Sequence, residues 1–418
     1  MNRRELLKAF GGLTLGACTL SLSGKALSQS SDRFWVFVSA GGGWDVTNQW
    51  DPKGSDVFST KGRVNNYPST DIRQVGNIRY APVPEHVESS DMLHTFTQKH
   101  HQRMMVINGV DQVTNSHSVG SRLSTSGSTG QGIPVFCAMA AAPFASSQSM
   151  AFIHQGGNGQ TAGLLAKSKV LKKSDYDRLA NSTRFLDSEQ ATTTVAQSKR
   201  DLLQRLTAST PGDKSVKAMN DLQTARNSSG ALNDLLNRIP GELNASTEKA
   251  AAEISAAAFA SGAATSSSLR IGGFDTHSDN DQRQFTQMDK LLTLVDHLWE
   301  QLEFQGVAQN TTIVMCSDIG RKPYYDNNSE KVDAGKGHWS ISSMVLMGAG
   351  IQGNTVVGGT DDNLKPIKVN PQSLQPDEDG IHITSSSVHD ALRRLAGITG
   401  SELDLRYPLN ADYINLFT

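Results

Sequence analysis

Four short apolar runs punctuate the chain: Arg33–Ser39, Met104–Val110, Thr311–Cys316 and Ser343–Gly348. Each is short, nearly continuous in apolar residues and bounded by polar or glycine positions, so all four are expected to be buried parallel core strands. Between them the apolar positions take helical spacing. They do so over Met92–His100 and over Phe285–Gln305, where Met288, Leu291, Leu292, Val295, Leu298, Trp299 and Leu302 fall on one stripe. Alternating strands and helices predict an α/β fold, with a central, mostly parallel sheet flanked by helices. Ligands of such sheets gather beyond the carboxyl ends of the strands. The stretch from about 188 to 268 is different, being rich in Ala, Ser, Thr, Asn, Lys and Gln, with helical segments at Val195–Leu206, Val216–Arg226 and Ala245–Ala260. It reads as a helical insertion, with a partly mobile linker as the alternative.

The N-terminus carries a targeting pattern. Arg3-Arg4 precede Leu6, Leu7 and Lys8, and a mild apolar stretch from Ala9 to Leu22 follows, which is the form of a twin-arginine signal peptide. Glycine and serine dilute that stretch below the ~20 strongly apolar residues of a membrane span. Residues 1–28 are therefore expected to be a leader cleaved after Ser28, leaving 29–418 as an α/β domain. The twin-arginine translocase would carry it, folded, to the periplasm or beyond. Leu15-Gly16-Ala17-Cys18 also fits a lipoprotein signal, so anchoring through Cys18 is the alternative, and a membrane is a partner only in that case.

Charge and cysteine content narrow the function classes. Arg3, Arg4, Lys8 and Lys25 outnumber Glu5 by three in the leader, so its removal takes the formal charge from −2 to −5. A mildly acidic chain is a poor nucleic-acid binder. Cys137 and Cys316 are the thiols left after cleavage, enough for one disulfide but not for a disulfide scaffold.

Candidate chemistry recurs just after the predicted strands. Gly41-Gly42-Gly43-Trp44-Asp45 follows the first, and Asn115-Ser116-His117-Ser118 follows the second and leads into a possible helix, whose start favours anions. In Gly272-Gly273-Phe274-Asp275-Thr276-His277, Asp275 and His277 lie two apart and point the same way if extended, as paired metal ligands do. Ser317-Asp318-Ile319-Gly320-Arg321 adds an acid beside an arginine, and Gly335-Lys336-Gly337-His338-Trp339 adds a histidine. Each cluster also has a bland reading, Asp45 as a turn cap or Ser116 as an ordinary helix cap. Their recurrence at strand ends favours a site. A divalent metal held by Asp and His, a hydroxyl at a helix start and a nearby arginine suit attack on a phosphate or sulfate ester. His86, His94, His100, His101, His154, His297, His382 and His389 are expected in surface or capping roles, with facing the site as the alternative for His389, at the start of a helix over Val388–Leu395.

The order of twin-arginine leader, glycine-rich loop with Asp45, Ser116-His117, GGFDTH, SDIGR and GKGHW resembles the domain of unknown function 1501 family over most of the chain. The resemblance implies a fold similar to the alkaline phosphatase and sulfatase superfamily, with one or two divalent metals (zinc, manganese or calcium) at the carboxyl edge of the sheet. It implies Ser116 as nucleophile, Arg321 as anion clamp, and Asp275, His277 and His338 as one metal site, with Asp45 and Asp318 belonging to another. The substrate would be a small-molecule or polymer ester. The chain departs from the pattern at Asp318, where relatives carry Glu, at Ile319, where active hydrolases carry a histidine, and at Gly337, where relatives carry Asp. An aliphatic side chain cannot ligate, so the alternative is a non-catalytic exported binding or assembly protein with a degenerate site.

Overall fold

The computed structural model describes residues 33–169, 172–180, 229–328 and 331–417, with scattered positions between 193 and 205. The predicted leader with Cys18, the segment Val216–Arg226 and much of Val195–Leu206 lie outside the described residues. Eight strands form the central sheet: β1 (Phe34–Ala40), β2 (Met104–Asp111), β3 (Phe152–His154), β4 (Lys167–Ser168), β5 (Ser266–Ile271), β6 (Thr311–Ser317), β7 (Ile341–Gly348) and β8 (Thr355–Gly358). Their spatial order is β8-β2-β7-β6-β1-β5-β3-β4.

All neighbouring pairs are parallel except those made by β7, which runs antiparallel to both β6 and β2. This corrects the expectation of four parallel core strands. The reason lies in the connection: after β6 ends at Ser317, Gly320–Arg321 pairs with His338–Trp339 in a small antiparallel ladder. The chain enters β7 at Ile341 directly from that ladder. A parallel partner would need a crossover back to the other end of the sheet.

Six helices matter for the site and its support: α1 (Met92–His100), α2 (His117–Ser126), α3 (Phe136–Ala141), α4 (Thr247–Ala260), α5 (Asn280–Phe304) and α6 (Ser385–Leu395). Strand alternation divides the core in two. Val36 and Val38 of β1 join α1, α4 and α5 in one apolar cluster, and Trp35 and Phe37 join α3 and α6 in the other.

The predicted insertion ends earlier than about 268, because Ser266–Ile271 is a strand between β1 and β3. Its serines carry no apolar signal, yet all are buried with bonded hydroxyls. Ser266 donates to the Cys137 carbonyl at 2.8 Å, Ser267 shares 2.8 Å with Ser255, and Ser268 lies 2.8 Å from His154 Nδ1. The alanine-rich face of α4 packs over Ser267, whose partner Ser255 lies on that helix, while Ser266 faces α3, and such small side chains allow the helix to pack closely on the strand.

Cys137 and Cys316 are buried and free, so the possible disulfide is not formed. Burial pushes both thiols up, that of Cys316 to about 12. His389 does not face the site: it is fully buried, with Nε2 3.0 Å from the Ser124 carbonyl. No described helix is long and apolar enough to cross a membrane.

Candidate metal centre

Three connections at one edge of the sheet deliver a cluster of imidazoles and carboxylates. His117 opens α2 after β2, Asp275 and His277 follow β5, Asp318 follows β6, and His338 pairs in register with Arg321. Two glycines make this convergence sterically possible. Gly42 has φ of 116°, and a Cβ there would lie 2.4 Å from the Asp275 backbone nitrogen; one at Gly120 of α2 would lie 2.0 Å from the Asp318 carbonyl oxygen.

The donor atoms face one another. His338 Nε2 lies 3.1 Å from both His117 Nε2 and His277 Nε2, and 3.3 Å from Asp275 Oδ1. His277 Nε2 is 3.1 Å from Asp275 Oδ1, and His117 Nε2 is 3.6 Å from Asp275 Oδ2. The tightest set is His117, Asp275 and His338, whose donors all lie within 4.8 Å of one another; His277 joins through the latter two. Metal bonds of about 2.0–2.1 Å place tetrahedral donors about 3.3 Å apart, close to these spacings.

Protonation strengthens the fit. His338 Nδ1 is 3.0 Å from the Asn115 carbonyl, which can only accept, so Nδ1 carries the proton and Nε2 a lone pair. His117 Nδ1 is 2.9 Å from Asp318 Oδ2 and donates to that carboxylate. Its Nε2 is then also a lone pair. With both rings neutral, their Nε2 lone pairs face each other and a carboxylate, an arrangement that a divalent cation, or a proton on one ring, stabilises. A ligating imidazole whose other nitrogen is held by a carboxylate or carbonyl is a recurrent feature of metal sites.

Asp318 therefore sits behind His117. Its oxygens also accept from the backbone N–H of Gly42 at 3.1 Å and of Ile319 at 3.1 Å. The Ile319 side chain is buried in the interior.

Arg321 is fully buried, which disagrees with a role as an exposed anion clamp. Its guanidinium donates to the carbonyls of Gly42, Gly43 and Lys336 and to Asp275 Oδ1 at 2.7 Å. Partial burial opposes ionisation of Asp275, but Arg321, with His117 and His277, outweighs it and holds that carboxyl at about 2. Arg321 thus keeps Asp275 ionised and in place.

Asp45 was expected at a second metal position, and the structure gives it other partners. It is fully buried; Oδ1 accepts from Thr47 Oγ1 at 2.6 Å, and Oδ2 accepts from Lys336 Nζ at 2.7 Å and Asn280 Nδ2 at 3.0 Å. Lys336 Nζ also approaches Asn65 Oδ1 at 3.1 Å. The ammonium thus occupies the oxygen cage in which a second cation would have to lie. The network continues through Asn280 to Asp281, which Tyr325, Asn66 and His86 surround.

Ser116 is exposed at the N-cap of α2. Its hydroxyl makes no cap bond and lies 3.2 Å from Ser118 Oγ. The Ser116-His117 pair is legible in the sequence with the serine as the chemical member; the structure brings the histidine into the cluster. Asp275, His277 and His338, predicted as a set, do converge.

A pair of buried and exposed polar centres on one edge of a mostly parallel α/β sheet, one of them able to hold a cation, defines the molecule. The chain belongs to the DUF1501 family, described as a protein of unknown function, whose family model matches residues 33–377. No curated protein matches it. Among solved structures it is similar to Ps i-CgsB in complex with k-i-k-neocarrahexaose, at 10% identity and a TM-score of 0.40, over 92% of this chain and 75% of that one. It is similar also to the lipoteichoic acid synthase LtaP from Listeria monocytogenes, at 8% identity and a TM-score of 0.37, over 88% of this chain and 73% of that one. A third is the alkaline phosphatase from the Antarctic bacterium TAB5, at 10% identity and a TM-score of 0.32, over 76% of this chain and 92% of that one.

Proposed function

We propose that the protein is an exported metal-dependent hydrolase of phosphate or sulfate esters, acting on a small-molecule or polymer substrate. Residues 1–28 would direct its export by the twin-arginine route. One divalent cation would be held by His117, Asp275, His277 and His338. The observation that carries the reading is the convergence of the His117, His277 and His338 Nε2 atoms on the Asp275 carboxylate, which Arg321 holds in place. An imidazole-rich set favours zinc over manganese, and more strongly over calcium, which prefers oxygen ligands.

When bound, such an ion polarises an ester oxygen and makes a nearby hydroxyl a better nucleophile. Ser116 Oγ, next to His117 in sequence and unused as a cap, is the proposed nucleophile. It would form a bond to phosphorus or sulfur as the ester oxygen departs, and water would later release the serine. The first N–H groups of α2 have no capping side chain and are free to face an anion. Arg321 and Asp318 position Asp275 and His117. Lys336 neutralises Asp45, which supports chemistry with one ion.

Elemental analysis of protein purified from the periplasm should find about one equivalent of metal, as a single four-donor site requires. Metal below about a tenth of that, unchanged by Asp275→Ala, sinks the reading. Turnover of aryl phosphates, phosphodiesters or sulfates should vanish in Ser116→Ala and persist in Ser118→Ala. A metal-loaded protein inert to all of them would favour an exported binding protein instead.

A further inference from the structure

Arg270 is the penultimate residue of β5 at the same rim, five residues before Asp275. Its side chain is exposed, and among the described residues its guanidinium has no hydrogen-bond, ion-pair or aromatic partner. Nevertheless it does not extend into open solvent. It lies over the end of the neighbouring strand, where a Cβ on Gly41 would come within 2.1 Å of Nη2 and 2.5 Å of Cζ. A Cβ on Gly272 would lie 3.3 Å from Nη1, and the stem runs along Gly156 and Gly157, whose added Cβ atoms would lie 3.4 Å from Arg270 Cβ and Cδ respectively. Glycines thus line both the stem and the fork. Gly41 adjoins Gly42, whose N–H donates to Asp318 and where an added Cβ would lie 2.4 Å from the Asp275 backbone nitrogen. Chain geometry therefore keeps the Arg270 fork within roughly 11 Å of the Asp275 backbone.

We propose that Arg270 is the anion-binding residue of this rim, taking the non-reacting oxygens of a phosphoryl or sulfuryl group. The proposal rests on the hydrolase reading above and supplies the clamp that buried Arg321 does not. The chemistry is that of a planar fork with free donors, suited to a tetrahedral oxyanion through two parallel hydrogen bonds. Its place beyond the carboxyl ends of β1 and β5 is where ligands of open α/β sheets bind.

Titration calorimetry of the zinc-loaded full chain with inorganic phosphate, and separately with sulfate, tests it. Arg270→Gln should weaken the tighter-binding anion about tenfold or more, as loss of a charge-assisted bidentate contact predicts. Metal content should stay unchanged. Gly41→Ala, which displaces the fork while keeping its charge, should shift affinity the same way, and Arg270→Lys should recover part of it. The anion bound more tightly names the ester class. Binding within about twofold of wild type in Arg270→Gln, or no binding of either anion by wild type, overturns the proposal. If the protein takes up no metal, the hydrolase reading fails separately. The same titrations on the metal-free chain then decide Arg270: saturable binding that Arg270→Gln removes supports it, and binding that survives overturns it.

Discussion

Two groups of polar side chains follow the carboxyl ends of the same strands, one around Asp275 and one around Asp45, and they handle charge in opposite ways. Around Asp45 every charge is matched inside the protein: Lys336 against Asp45, both fully buried, and Asp281 against His86, Tyr325 and Asn66. Burial alone would push Asp281 up, but His86, Lys336, Asn66 and Tyr325 together hold its carboxyl below the ordinary value. Around Asp275 three imidazoles face one carboxylate, and the side chains of Asp275 and His277 are 48% and 55% exposed. A closed network stabilises a loop arrangement, whereas an open one is left to bind something. The first holds the loops that present the second, since Lys336 precedes His338 by two residues and Asn280 follows His277 by three.

The largest effect should come from breaking the closed network. Lys336→Met leaves Asp45 buried without its cation and should cost about 3–5 kcal/mol, read by urea or thermal unfolding. A loss below about 1 kcal/mol would mean that Asp45 is not the buried charge described here.

Next in size, Asp318→Asn should lower metal affinity roughly 10–100-fold by exchanging the carboxylate that accepts from His117 Nδ1 for a neutral amide, while leaving unfolding nearly unchanged. Competition with a chromogenic chelator measures it. Equal affinity would show that His117 needs no orienting partner.

The smallest effect concerns pH. The hydrogen bond to Asp281 raises His86 above its ordinary 6.5, against a smaller opposing effect of burial. The contact then contributes fully below about 6.5 and is lost as pH rises through the raised value. The thermal midpoint of wild type should therefore fall relative to His86→Gln between pH 6 and pH 8, by an amount equivalent to about 1 kcal/mol or less, since the His86 ring is partly open to solvent. Parallel curves would remove His86 from the network.

Legibility differed between the parts for physical reasons. Runs such as Thr311–Cys316 announce strands because both faces are buried, and Met92–His100 is a helix with the bounds its apolar spacing predicts. The α5 stripe was visible from Phe285, but the helix begins at Asn280, because its polar first turn serves the buried network and carries no apolar periodicity. β5 was hidden by serines whose hydroxyls are satisfied by neighbours remote in sequence. In the site, Asp275, His277 and His338 stood out by type and by loop. His117 was masked by Ser116, and the burial of Arg321 and Asp45 had no sequence signature, since a charged residue beside glycines reads alike inside or out.

The sequence by itself determined the alternation of strands and helices and put ionisable residues at strand ends, because apolar periodicity and glycine placement are local properties. Tertiary structure alone decided the direction of β7 and the pairing of Asp45 with Lys336. It also decided the assembly of His117 with residues more than 150 positions away. The first depends on the ladder that joins β6 to β7, and the other two on which polar and charged side chains meet across the fold; pairings of both kinds are properties of three-dimensional proximity rather than of neighbouring residues.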